Sequence, residues 1–237
     1  MVSDRIHKTL SQKSKMHQIE LKRLGQGQED APLSKNIIVL EQKSQLVGIN
    51  TLLMDPETSS DDFVFYFDRL TTMLVERAIT CMHFDEVTVQ TPINKDYAGL
   101  QVGGEISAVV ILRGGTTLET GLKRVIPDCI TSRILIQTSH KTGEPELHFT
   151  SLAEDLRTHK RVLILDSQMS SGGAALMAVR VLIDHGVKES RIVFVTFMAG
   201  KLGLNRLMSV YPEIKVVACR VVDDLEVRWV EQRYLGC

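Results

Sequence analysis

An aspartate at the end of an apolar run, two serines and two glycines stand close together in "VLILDSQMSSGGAALMAVRVLIDHG", residues 162–186. The order of residue types suits a ligand that carries both a phosphate and a diol. A glycine turn that opens a helix leaves backbone amides unpaired, and the helix dipole adds positive potential at the same place. That dipole is worth about 0.3–1 kcal/mol when exposed and up to about 2 when partly buried. Ser170 and Ser171 add hydroxyl donors, and Gly172 and Gly173 let the backbone come close to an oxygen. Asp166 would repel a phosphate set against it, so its partner has to be another part of the ligand. Two vicinal hydroxyls, each donating to one carboxylate oxygen, meet that need. Phosphate and diol a few ångströms apart describe a ribose 5-phosphate. The stretch lacks the Gly-Lys-Ser/Thr ending of a triphosphate loop and the G-x-G-x-x-G of a dinucleotide site. A purely structural glycine entry to the helix is the competing reading.

The elements that must hold this turn follow from periodicity. "NIIVL" (36–40), "DEVTVQTP", "SAVVILRGG", "KRVLILD", "SRIVFVTFMAG" and "IKVVACRVV" are strand candidates. Phe63, Phe67, Leu70, Leu74 and Ile79 recur at helical spacing and predict a helix over 61–81, with Ser59, Ser60 and Asp61 as caps. Further helices are expected in "TLETGLKRVI", over 173–185 and in "LGLNRLMSVYP". "SRILIQTSHKTGEPELHFTSL" is two strand-like runs around a turn, a long hairpin. Apolar strands alternating with helices imply an α/β fold with a mostly parallel central sheet flanked by helices, from which the β-hairpin protrudes. Residues 1–35 read as a polar extension with a basic cluster (Arg5, Lys8, Lys13, Lys15), in which a short helix ended by Gly25 is expected, and residues 36–237 read as one domain.

A formal net charge of −1 gives no footprint for nucleic acid or an anionic membrane, so neither is an expected partner. No apolar run reaches the roughly 18–20 residues needed to span a bilayer, and no secretory signal is visible. Cys81, Cys129, Cys219 and Cys237 are scattered without a CxxC pair or a histidine at ligand spacing. No metal site is expected, and a reducing compartment is, the cytoplasm first and the nucleus second.

"ILDSQMSSGGAA" resembles the phosphoribosyl pyrophosphate (PRPP) signature of the uracil phosphoribosyltransferase family, "LLDPMLATGGSA". Other segments follow in order. "DPETSSDDFVFYFDRL" resembles "RDKxTxxxxFxFYxxRL", "TPINKDYAG" resembles "TPxGxxYxG", and "VVILRGGTTLETGL" resembles "VSILRAGExMExxL". "ILIQTSHKTGEPELHF" and "MAVRVLIDHGVKESRI" are similar to the C-terminal domains of uridine kinases. The resemblance spans roughly residues 36–237 and implies the type I phosphoribosyltransferase fold. It further implies pyrimidine salvage, with uracil and PRPP giving UMP and pyrophosphate. On that basis Asp166 would hold the ribose hydroxyls, Ser170, Ser171, Gly172, Gly173 and Ala174 the 5-phosphate, and Arg113, Gly114 and Gly115 the pyrophosphate. A guanidinium fork suits that last ligand. Mg²⁺ would travel with the pyrophosphate. The family also implies a homo-oligomer and makes GTP a candidate effector.

Three departures bear on chemistry. The family's uracil loop, resembling "VPGLGDFGDRYFGT", is replaced by "VVDDLEVRWVEQRYLGC", where only residues 232–236 keep the pattern. The family's "RDEET" becomes Thr138-Ser139-His140-Lys141-Thr142, and the arginine of "IIRDK" becomes Met54. The alternative is therefore a catalytically inactive ribose-phosphate- or nucleotide-binding regulatory domain, as in the non-kinase half of a uridine kinase. No Walker motif is present, so this chain is not the kinase half. Glu119 and Asp128 read as solvated charges, His148 as a strand-face residue, and Trp229 as packing over the place of the lost loop.

Overall fold

Successive residues of an extended strand point to opposite faces, and here both faces are apolar. In the computed structural model, residues 34–139, 143–223 and 227–236 are described. The expected helix before Gly25 and most of the polar extension lie outside them, as do Lys141 and its neighbours at the hairpin turn.

The strands are β1 (Ile37–Val39), β2 (Phe84–Gln90), β3 (Asp96–Val102), β4 (Ile106–Leu112), β5 (Ile130–Thr138), β6 (Pro145–Ser151), β7 (Arg161–Leu165), β8 (Gln168–Met169), β9 (Ile192–Gly200) and β10 (Lys215–Val222). The helices are α1 (Ser44–Met54), α2 (Ser60–Ile79), α3 (Glu119–Val125), α4 (Gly173–Asp184), α5 (Lys201–Val210) and α6 (Val230–Leu235). The main sheet runs β1-β10-β9-β7-β4-β5-β6, with β8 also on β9. Its pairs are parallel except β5 with β6, the expected hairpin.

Ala108 and Val110 of β4 join Leu163 and Leu165 of β7 in a core beneath α1, α2 and α3. Val109, Ile111, Val162 and Ile164 face the other way, into a core covered by α4 and α5. Two cores on one sheet are what near-continuous apolar strands demand. Ser59 caps α2, its side chain accepting from the Asp62 amide at 3.1 Å, and Phe63, Phe67, Leu70 and Leu74 are buried as the periodicity predicts.

Three features differ from the sequence reading. The strand in "DEVTVQTP" does not join the main sheet; it pairs antiparallel with β3 as a separate arm. Only Phe84 and Val87 of β2 are even partly buried, so it has no apolar face for a two-sided sheet. α1 was not anticipated: Lys43 at its N-cap makes no side-chain capping bond, so the start signal is missing, although Leu46, Ile49 and Leu53 are buried along one face. The helix expected in "TLETGLKRVI" is split into a 3-10 turn (Gly114–Leu118) followed by α3.

Candidate functional site

The chain leaves β4 toward β5 on one side and leaves β7 toward β9 on the other. The two crossovers also take opposite faces, α3 packing into the first core and α4 into the second. The crevice beyond the carboxyl ends of β4 and β7 is therefore the switch point, where open α/β sheets bind ligands. Arg113-Gly114-Gly115 follow β4 and Asp166 follows β7, so the topology brings these expected site residues together.

Their approach is tight. A Cβ on Gly114 would stand 2.6 Å from Asp166 Oδ1, and one on Gly115 only 2.2 Å from the Leu165 carbonyl oxygen. The loop lies directly on the end of β7 because it has no side chains there. Arg113, by contrast, is exposed. The Leu112–Arg113 peptide bond is cis.

After Asp166 the backbone makes the short strand β8, bends through 170–172 and enters α4. Gly172 has φ +81°, a left-handed conformation that side chains other than glycine rarely take. The first helical bond of α4 runs from the Leu176 amide to the Gly172 carbonyl at 2.9 Å. The amides of Gly173, Ala174 and Ala175 therefore precede the first helical donor and have no carbonyl of their own helix to bond. Ser170 Oγ accepts from the Ser171 amide at 2.6 Å, which curls the loop and leaves the hydroxyl hydrogen available. Ser171 is exposed at the lip. On one flank stands Pro145 of the hairpin, 3.3 Å from where a Gly173 Cβ would be. On the other stands Gly203 of α5, whose own Cβ would meet the Ser170 carbonyl oxygen at 2.2 Å. Gly203 escaped the sequence reading; its one signal is a glycine inside a helical pattern, which costs about 1 kcal/mol unless packing needs it.

The carboxylate is already engaged. Asp166 is only 2% exposed, and Arg228 Nη2 donates to its Oδ1 at 2.5 Å. Burial pushes the Asp166 carboxyl up, and the Arg228 guanidinium opposes that rise. Sequence reading missed Arg228, because nothing in "EVRWVEQ" signals a partner 62 residues earlier. Two residues after Asp166, Gln168 is buried and its Oε1 accepts from the amides of Trp229 and Val230 at 2.8 and 2.9 Å. The Trp229 ring meets Phe63 and Phe197 edge-on at 6.0 and 6.5 Å. The Asp166 turn and the C-terminal segment are thus one hydrogen-bonded unit.

The "QRYLG" ending docks on the "DPET" segment and α2. Arg233 donates to the carbonyls of Pro56 and Thr58 at 3.1 and 2.7 Å and stands over the Phe63 ring. Tyr234 donates to Asp68 Oδ1 at 2.6 Å. Met54, where the family pattern has arginine, borders a cleft of about 510 Å³ with Asn50, Asp55 and Arg220. Thr138 is exposed at the end of β5. His148 lies exposed on β6 and Asp128 is exposed, as expected. Glu119 corrects the reading: it is half-buried and accepts from Arg133 Nη2 through both oxygens, at 2.7 and 3.0 Å, because β5 lies beside the start of α3.

A family profile described as uracil phosphoribosyltransferase matches residues 39–231. The chain is 39% identical over 198 residues to the uridine-cytidine kinase-like 1 protein of Mus musculus, covering 82% of this chain and 36% of that protein. It therefore spans about a third of that relative's length. It is 35% identical over 201 residues to the uracil phosphoribosyltransferase of Dictyostelium discoideum, covering 85% of this chain and 91% of that protein. The solved AQ2163 protein of Aquifex aeolicus shares the fold, with a TM-score of 0.71, 23% identity and coverage of 84% and 97%.

Proposed function

The chain belongs to the uracil phosphoribosyltransferase family, and from that premise we propose that it is a ribose-phosphate-binding member whose tail closes over the ribose site in place of reading uracil. The observation that carries this reading is Arg228 on Asp166. A ligand's 5-phosphate would sit on the amides of Gly173 and Ala174, with the hydroxyls of Ser170 and Ser171 beside it. Pyrophosphate would lie against Arg113, Gly114 and Gly115, and any Mg²⁺ would arrive with it as part of the substrate. The sugar hydroxyls need the Asp166 oxygen that Arg228 holds, so binding requires that pair to open. Apparent affinity then falls by the fraction of molecules that are open.

Base recognition is the weaker half. A pocket of backbone donors and acceptors gives roughly 10⁴–10⁵ discrimination when it is intact. Here the amides of Trp229 and Val230 are spent on Gln168. The regulatory form of this reading is also supported by similarity to a kinase-like protein over 36% of its length. The second reading, uracil and PRPP to UMP and pyrophosphate, is favoured by 35% identity to a uracil phosphoribosyltransferase along nearly its whole length. Three buried free cysteines, Cys81, Cys129 and Cys219, fit a reducing compartment such as the cytoplasm.

Calorimetric titration should show heat with UMP or magnesium PRPP that Asp166→Asn weakens strongly. Radiolabelled uracil with PRPP, run beside the Dictyostelium protein, should give little UMP. Efficient UMP formation would overturn the loss of turnover. Absence of heat with PRPP, UMP, UTP and GTP alike would overturn ligand binding itself.

A further inference from the structure

At the opposite end of the sheet, a buried histidine ring has two carboxylates for neighbours and, among the described residues, no hydrogen bond of its own. The His159 side chain is 0% exposed, and neither ring nitrogen has a hydrogen-bond partner among the described residues. An imidazole left so needs something to satisfy it. Its Nε2 stands 3.4 Å from Glu105 Oε2 and 3.4 Å from Asp155 Oδ1. These separations are long for N–H···O bonds. They match the edge of a tetrahedron: two ligand atoms each about 2.1 Å from one zinc ion lie about 3.4 Å apart. One ligand atom from each of the three residues falls within 4.8 Å of the others.

We propose that Glu105, Asp155 and His159 bind a divalent transition metal of zinc's chemistry, with the fourth position left to water. The neutral imidazole and two carboxylate oxygens are an ordinary donor set for that ion. Both carboxylates face solvent, their side chains 72% and 58% exposed, so the ion has a way in. The backbone beneath is fixed: the Lys160 amide donates to the Glu105 carbonyl at 3.0 Å, and Arg191 reaches the His159 carbonyl at 3.4 Å. Because Nδ1 has no acceptor behind it among the described residues, affinity should be about ten- to a hundredfold below that of a buttressed site. Glu105 and His159 precede β4 and β7, whereas Arg113 and Asp166 follow them, which puts the strand lengths between the two sites. The metal would tie the 153–160 turn to the entry of β4 and take no part in ligand chemistry. No sequence spacing announced it, since Glu105 lies far from the other two in the chain.

The test uses the full chain stripped of metal by a chelator. Titration with Zn²⁺ should show one saturable site and a higher Tm, and Co²⁺ should give the visible absorption of a tetrahedral centre. The double variant Glu105→Gln/Asp155→Asn changes exposed positions only and should fold. It should lose the Tm shift and bind Zn²⁺ at least about tenfold more weakly, as should His159→Gln if it folds. Absence of saturable Zn²⁺ binding overturns the proposal. So does binding that survives in the double variant, which would assign the ion to other residues.

Discussion

Arg228 Nη2 and Asp166 Oδ1 meet at 2.5 Å across 62 residues of chain, with the carboxylate side chain 3% exposed and the guanidinium 34%. Removing one partner of a buried pair strands the other, at a cost of about 3 kcal/mol near the low end for such pairs. Arg228→Ala should therefore lower the stability measured by urea unfolding. Burial already pushes the Asp166 carboxyl up, and without the guanidinium nothing comparable opposes that rise. An unfolded aspartate titrates near about 3.9. A folded value above that gives stability below the unfolded value and loses it as pH rises through the folded one. The deficit should therefore grow as pH rises, and Asp166→Asn in the same background should abolish that growth.

The same Arg228→Ala variant should bind UMP more tightly, about tenfold if one molecule in ten is open in the natural chain. Calorimetry reads this directly. Unchanged affinity would show that Arg228 does not compete with the ligand.

Gly203→Ala places a methyl 2.2 Å from the Ser170 carbonyl oxygen, a backbone atom that cannot swing aside. Overpacking of this kind costs about 1–3 kcal/mol. Because the displaced backbone is the bend before α4, the heat of phosphate-bearing ligands should fall more than that of unfolding. Ser209→Ala, on the same helix but away from the bend, serves as the control.

Tyr234 reports on the docked tail. Burial, followed by its hydrogen bond to Asp68, pushes its hydroxyl up to about 12. An unfolded tyrosine titrates near about 10, so the hydroxyl's stabilisation is present below that and lost as pH climbs toward 12. Tyr234→Phe should cost about 1.5–3 kcal/mol at neutral pH, as for hydrogen bonds to charged groups. Its stability should also decline less steeply between pH 10 and 12 than that of the natural chain.

Burial also pushes the thiols of Cys129 and Cys219 up to about 11. At pH 8 both should resist an aromatic disulfide reagent until the chain unfolds. Prompt labelling of either, read by peptide mass, would contradict the packing described here.

The frame was legible because its signals are local. Ser59 before an acidic turn, the heptad-like run from Phe63 to Leu74, and strands apolar on both faces each announce one element. The place of Asp166 and the glycine bend followed from the same logic. Contacts between distant segments carry no such mark. Gly203 against Ser170, Gln168 holding Trp229 and Val230, and Arg228 over Asp166 join stretches that show no pattern in common. Glu119 read as solvated because its partner, Arg133, enters from the neighbouring strand.

Trp229 is the single tryptophan of the chain, adjacent to the arginine that a ribose would displace and anchored to the turn that carries Asp166. The protein therefore carries its own optical probe. Any occupant that lifts the tail must alter the polarity around one indole, so emission wavelength and quenching by iodide would follow opening in real time, without a label.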